Sequence, residues 1–130
     1  MGKRPILMTI NGSSTLSALI MAYRKSVVFR ESVPSAIRVA KVFSEMRWSN
    51  GGLVLLGVHE DGTIVGVDPG ELDGIYERFQ GLGDLTVARV EIGTLAISGR
   101  VVVFLVFNPI PRNTEPLERY SRSIGRVRFL

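Results

Sequence analysis

Apolar and polar positions alternate between helical and extended spacing along this chain. Leu16, Leu19, Ile20 and Tyr23 recur at helical spacing, which predicts a helix over residues 15–24. Ser14 or Thr15 supplies its cap. Residues 26–30 are β-rich and predict a short strand. Pro34 and Ser35 then open a second helix, with Ile37, Ala40, Phe43 and Met46 or Arg47 along one face, ending near Trp48. Residues 53–58 form a continuous apolar strand, the pattern of a strand buried on both faces. Glu60-Asp61-Gly62-Thr63 is a hairpin turn signal, and residues 63–67 are expected to return as the partner strand.

Pro69 starts a third helix, capped by Asp68, with Leu72, Ile75, Tyr76 and Phe79 on its apolar side. Gly81-Leu82-Gly83 is expected to stop it. Residues 86–92, 94–98 and 100–107 read as strands, the last two joined by a tight turn at Ser98-Gly99. Asn108-Pro109-Ile110-Pro111 ends the sheet, and residues 127–130 can add a last short strand. The sum is an α+β fold, with a mostly antiparallel sheet and about three helices packed on it. At 130 residues, without an internal repeat or linker, the chain is expected to be a single domain over 1–130.

Composition narrows the class. The 45% hydrophobic and 22% charged content is that of a globular chain. The absence of cysteine excludes a disulfide framework, a thiolate metal site and a cysteine nucleophile, and fits a cytoplasmic setting. No apolar run approaches the roughly 18–20 residues a membrane helix needs. Polar residues from Asn11 to Thr15 break the apolar stretch behind Lys3 and Arg4, so a signal peptide is not expected.

The formal charge is +4, but its distribution says more. Residues 1–47 carry a net +6, residues 48–111 a net −5 and residues 112–130 a net +3. Basic flanks that meet in space would form a face attractive to nucleic acid, and mixed surface charge is the plainer alternative. Thirteen of the sixteen basic residues are Arg, which favours bidentate phosphate contacts. The candidate contacts are Arg24, Lys25, Arg30, Arg38, Arg119, Arg122, Arg126 and Arg128. Tyr120 and Phe129 among the tail arginines suit either base contact or packing on the sheet. Trp48, the sole tryptophan, reads first as a packing residue and second as a base-stacking one.

Gly51-Gly52 follows a helix and precedes a strand, the reverse of a phosphate-cradling loop, so a P-loop nucleotide site is not expected. His59, Glu60 and Asp61 sit together at the turn. The carboxylate oxygens of Glu60 and Asp61 suit a divalent cation, but adjacent acids at a hairpin tip are more often only solvated.

The stretch Trp48-Ser49-Asn50-Gly51-Gly52, the apolar strand ending Leu56-Gly57-Val58-His59-Glu60, and Asp61-Gly62-Thr63-Ile64-Val65-Gly66 together resemble the core of the Schlafen-type AlbA domain. Val27-Val28-Phe29-Arg30 stands where that family has an extended Glu-Phe-Lys segment, and Gly125-Arg126-Val127-Arg128 resembles its closing strand. The likeness spans about residues 27–129. It implies nucleic-acid handling, RNA favoured over DNA. In some members it implies Mg²⁺- or Mn²⁺-dependent endoribonuclease action on structured RNA through three carboxylates.

Of those three positions, Glu60 matches one, whereas Val28 and Tyr23 occupy the other two. Glu31 and Glu45 are the possible substitutes. The expectation is therefore a nucleic-acid-binding protein without nuclease activity and without a cofactor. The alternatives are a metal-dependent endoribonuclease and a non-catalytic subunit of a larger assembly. A homodimer is expected, because a strand such as 101–107 at a sheet edge is a template for pairing.

Overall fold

The computed structural model describes residues 14–46, 51–86, 88–108 and 128–130. The chain runs helix α1 (residues 14–22), strand β1 (Val27–Arg30), helix α2 (Ala36–Met46) and strand β2 (Gly52–Leu56). It continues through a 3₁₀ turn (Pro69–Glu71) to helices α3 (Leu72–Phe79) and α4 (Leu82–Thr86), then strands β3 (Arg89–Ile97), β4 (Arg100–Asn108) and β5 (Arg128–Phe129). The sheet order is β1-β2-β4-β3-β5. Only β1 and β2 are parallel, joined across α2; the other neighbours are antiparallel. The α+β fold with a mostly antiparallel sheet expected from the pattern is the one observed.

Strand alternation sends odd and even residues to opposite faces, and each face carries its own apolar layer. Val54, Leu56, Val90, Ile92, Val103, Leu105 and Phe107 meet Val39 and Phe43 of α2, Ile75 and Phe79 of α3, and Leu82 of α4. The rings of Phe43 and Phe107 stack with centroids 5.1 Å apart. On the opposite face Leu53, Leu55, Leu95, Ile97, Val102, Phe104 and Val106 meet Leu19 of α1 and Tyr23 just after it. Leu53 to Leu56 are buried throughout, as their unbroken apolar run requires of a strand covered on both faces. Two layers sharing one sheet make a single core.

Residues 101–107, expected at a sheet edge, lie inside the sheet between β2 and β3 and offer no edge for pairing. Four further details differ from the pattern. First, residues 63–67 do not pair as a strand beside β2. Both edges of β2 are taken, by β1 and by β4, so no position remains. The segment instead curls back: the Gly57 carbonyl accepts from the amides of Val65 and Gly66 at 2.8 and 2.7 Å, and single bridges join Val58 to Ile64 and Val67 to Val101. A side chain on Gly57, at φ +91°, would lie 2.9 Å from the Gly66 carbonyl carbon, so the curl requires glycine there.

Second, the apolar face of α2 runs through Ala36, Val39, Ala40 and Phe43, and Ile37 is 72% exposed. Third, β3 is one strand across Gly93 and begins at Arg89. Fourth, α3 stops before Gly81 as expected, but Leu82 and Gly83 already belong to α4, which runs on to Thr86. The Thr86 hydroxyl donates to the Leu82 carbonyl at 2.9 Å and so completes that short helix.

Several local signals act as expected. Ser35 Oγ accepts from the Arg38 amide at 3.3 Å at the start of α2. Asp68 Oδ1 accepts from the Gly70 amide at 2.9 Å ahead of α3. Ser98 and Gly99 adopt φ of 51° and 76°, the left-handed pair that a two-residue hairpin turn demands. The expected strand at residues 127–130 appears as β5, paired to β3 through Glu91–Phe129 and Ile92–Arg128. Trp48, Tyr120 and the Asn108–Pro111 sheet end lie wholly or partly outside the described residues.

Candidate nucleic-acid interface

Among the described residues, Arg30, Arg38 and Lys41 lie on β1 and α2, whereas Arg24 and Lys25 follow α1 and line a separate cleft with Met21, Ala22 and Tyr23. Alternation places Val28 and Arg30 on the α2 side of the sheet and Val27 and Phe29 on the α1 side. Arg30 therefore meets the first turns of α2, where Arg38 projects. The two arginines line one cleft of about 50 Å³, whose remaining walls are Val28, Pro34, Val39, Val42 and Val54. The cleft has a valine floor and a guanidinium rim.

Three contacts set its shape. Arg30 Nη1 donates to the Phe29 carbonyl at 3.0 Å, a group on the outer edge of β1. The Ser35 cap fixes where α2 begins. Arg78 of α3 reaches across to donate to the carbonyls of Val33 and Pro34 at 3.0 and 3.3 Å, holding the loop whose proline walls the cleft.

Arg24, Lys25, Arg30, Arg38 and Lys41 are all exposed. Among the described residues, none of these five lies within ion-pair distance of a carboxylate. Their charge is thus available to an anionic partner. Arg24 and Lys25 sit at the start of β1 and Arg30 at its end, separated by a strand roughly 13 Å long. Lys41 follows Arg38 by one helical turn.

Arg128 belongs to β5, on the opposite edge of the sheet from Arg30, about 19 Å away across four strand spacings. The arrangement does not bring these two together. Arg119, Arg122 and Arg126 lie outside the described residues.

The carboxylates are distributed differently. Glu60 is exposed at the tip of the turn, and Glu45 is exposed on α2. Glu31, just after β1, approaches His59: Oε1 to Nε2 is 3.8 Å. His59 Nδ1 is 3.1 Å from Asp61 Oδ1 and 3.2 Å from the Asp61 amide, which donates to it. Hydrogen bonds from the Thr63 side chain and backbone hold the Asp61 carboxyl below its usual range, the backbone one at 2.9 Å. Asp61 thus serves the turn. Among the described residues no three His, Asp or Glu side chains are grouped to hold a metal ion. Glu60, Glu31 and Glu45 do not form such a group.

Sequence reading missed several residues here. Lys41 was hidden in a helix read for its apolar face. Arg78 was assigned no role, because its partners are backbone carbonyls more than forty residues away. A buried polar chain also went unseen: the Tyr23 hydroxyl donates to Asn108 Oδ1, and Asn108 Nδ2 donates to Glu91 Oε2, both at 3.4 Å. Glu91 and Asn108 are each 2% exposed. Burial, then the nearby Glu91 charge, pushes the Tyr23 phenol up to about 12, against the opposing effect of the Asn108 hydrogen bond. The available signal was an acid between Val90 and Ile92 inside an apolar strand.

No protein-family model matches the chain, and neither a curated protein nor a solved structure matches it. Among the described residues no helix is long and apolar enough to cross a membrane.

Proposed function

We propose that this chain is a nucleic-acid-binding domain of the Schlafen-type AlbA kind, acting in the cytoplasm and contacting phosphates without cleaving them. The observation that carries this reading is five exposed cations, Arg30, Arg38 and Lys41 on β1 and α2 and Arg24 and Lys25 just ahead of β1, none paired with a carboxylate among the described residues. Such a surface is the electrostatic footprint of a polyanion site. Four of the five are residues that the charge pattern nominated, and Lys41 extends the group along α2. The preference for RNA over DNA rests on the family resemblance.

Neutralising phosphates releases counterions, so binding weakens with salt in proportion to the contacts made. With all five cations engaged on a single strand, the log–log slope is about −3.5, roughly a hundredfold loss between 50 and 200 mM salt. Replacing Arg30 and Arg38 together with Ala brings the slope to about −2. Fluorescence anisotropy with a labelled RNA across that salt range measures both. Equal affinity at the two salt concentrations refutes the proposal.

A further inference from the structure

We propose that the cleft between β1 and α2 takes one unpaired nucleotide, its base against the valine floor and its phosphate between Arg30 and Arg38. This rests on the nucleic-acid reading above and names the form of strand the surface selects. The site has two chemistries side by side. Val28, Pro34 and Val42 are half-buried, so the floor keeps apolar area open, and both arginines at the rim are exposed.

A phosphate alone has no use for a valine floor, and an apolar ligand alone has no use for two cations. A nucleotide supplies an apolar base face and an anion on one small group. A guanidinium plane can also lie against a base while its N–H groups reach phosphate. Arg30 spends one N–H on the Phe29 carbonyl and keeps the other four of its five.

Geometry makes the cleft selective. It is walled by a strand edge on one side and a helix on the other. In a duplex both faces of a base are covered by its neighbours, so only a splayed, unstacked base can enter. The walls are set beforehand by the Ser35 cap and by Arg78 on the Val33 and Pro34 carbonyls. A carboxylate-ended apolar residue of a peptide would also meet two arginines and a valine floor. The additional cations Lys41, Arg24 and Lys25 exceed what one carboxylate requires and favour the strand of phosphates.

The test uses the full chain, a labelled twelve-nucleotide oligouridylate and a hairpin duplex of equal charge. The oligouridylate is expected to bind about tenfold more tightly, the effect of one base contact. Val42→Phe, which fills the floor, removes that preference and leaves duplex binding within about twofold. Should that variant unfold, valine methyl NMR on the unaltered protein decides: Val28, Val39 and Val42 methyls shift with oligouridylate and not with the duplex.

Equal affinities for the two, or methyls that stay still while both bind, overturn the proposal and leave salt-dependent binding standing. Binding of neither nucleic acid removes both readings. A leucine-ended peptide that moves these methyls where oligouridylate does not makes the cleft a peptide site. Methyl contacts to residues 109–127 in the free protein that persist on adding oligouridylate make the occupant the chain's own. Either result overturns the proposal.

Discussion

Gly93 and Phe104 form a directly opposed pair across β3 and β4, and the aromatic ring lies where the glycine has no side chain. A Cβ on Gly93 would stand 2.4 Å from Phe104 Cζ, 2.8 Å from Cε2 and 3.2 Å from Cε1. Ordinary contact begins near 3.4 Å, so about an ångström must be surrendered by a ring that is fully buried. Gly93→Ala is therefore overpacking and should cost about 1–3 kcal/mol. Gly93 is not in the left-handed region, so no backbone strain adds to this.

The three colliding atoms are absent from leucine. In a Phe104→Leu background the same Gly93→Ala change meets no ring, and it removes the conformational freedom that glycine gives the unfolded chain. There it should stabilise by about 0.4–1 kcal/mol. The sign of one substitution thus reverses with its neighbour, a coupling of roughly 1.5–4 kcal/mol. Urea unfolding of the four proteins by far-UV circular dichroism measures it. In the parent, Gly93→Ala should lower the midpoint by about 1 M at unchanged slope. Equal costs of Gly93→Ala in both backgrounds would show that Phe104 does not set the requirement for glycine.

Two further predictions follow from contacts at the site and in the core. The Tyr23 phenol is raised to about 12 in the folded chain against 10 when unfolded, so the unfolded state loses its proton first. Its contribution, roughly 2–3 kcal/mol, is complete below pH 10 and disappears as pH rises through about 12. Tyr23→Phe should lack that decline, and stability curves that fall in parallel over this window would contradict the assignment. Arg78→Met should cost about 0.5–1.5 kcal/mol and weaken oligonucleotide binding by freeing the Pro34 loop, with the salt slope unchanged. A slope reduced by about 0.7 would instead make Arg78 a phosphate contact.

Local patterning carried most of the fold. The 53–58 run announced a strand covered on both faces, observed over Gly52–Leu56, while Asp68 marked a cap, Pro34-Ser35 a helix start and Ser98-Gly99 a turn. What escaped was set by distant partners. Residues 63–67 have the alternation of a strand, yet β4, arriving about forty residues later, takes the edge of β2 they would have used. Ile37 suits an apolar stripe, but the stripe of Ala36, Val39, Ala40 and Phe43 is the one that packs on the sheet, and Ile37 is left exposed. The candidate interface was legible as a list of cations. Its cleft was not, since nothing in the spacing of Arg30 and Arg38 reveals that Val54, from a different strand, lies beneath them.

The strand order has a kinetic consequence. The β3–β4 hairpin closes over a two-residue turn, a loop with little entropy to lose. β1 joins only after α2 has been laid down between it and β2, and it is four residues long with one neighbour among the described strands. Nucleation at the hairpin followed by outward accretion is the route this connectivity favours. Amide exchange should therefore slow progressively from β1 inward to β4, and the interface occupies the last territory to form and the first to open. A binding strand that bridges α2 and β1 would then act as a splint, and its largest protection would register in the Val27–Arg30 amides.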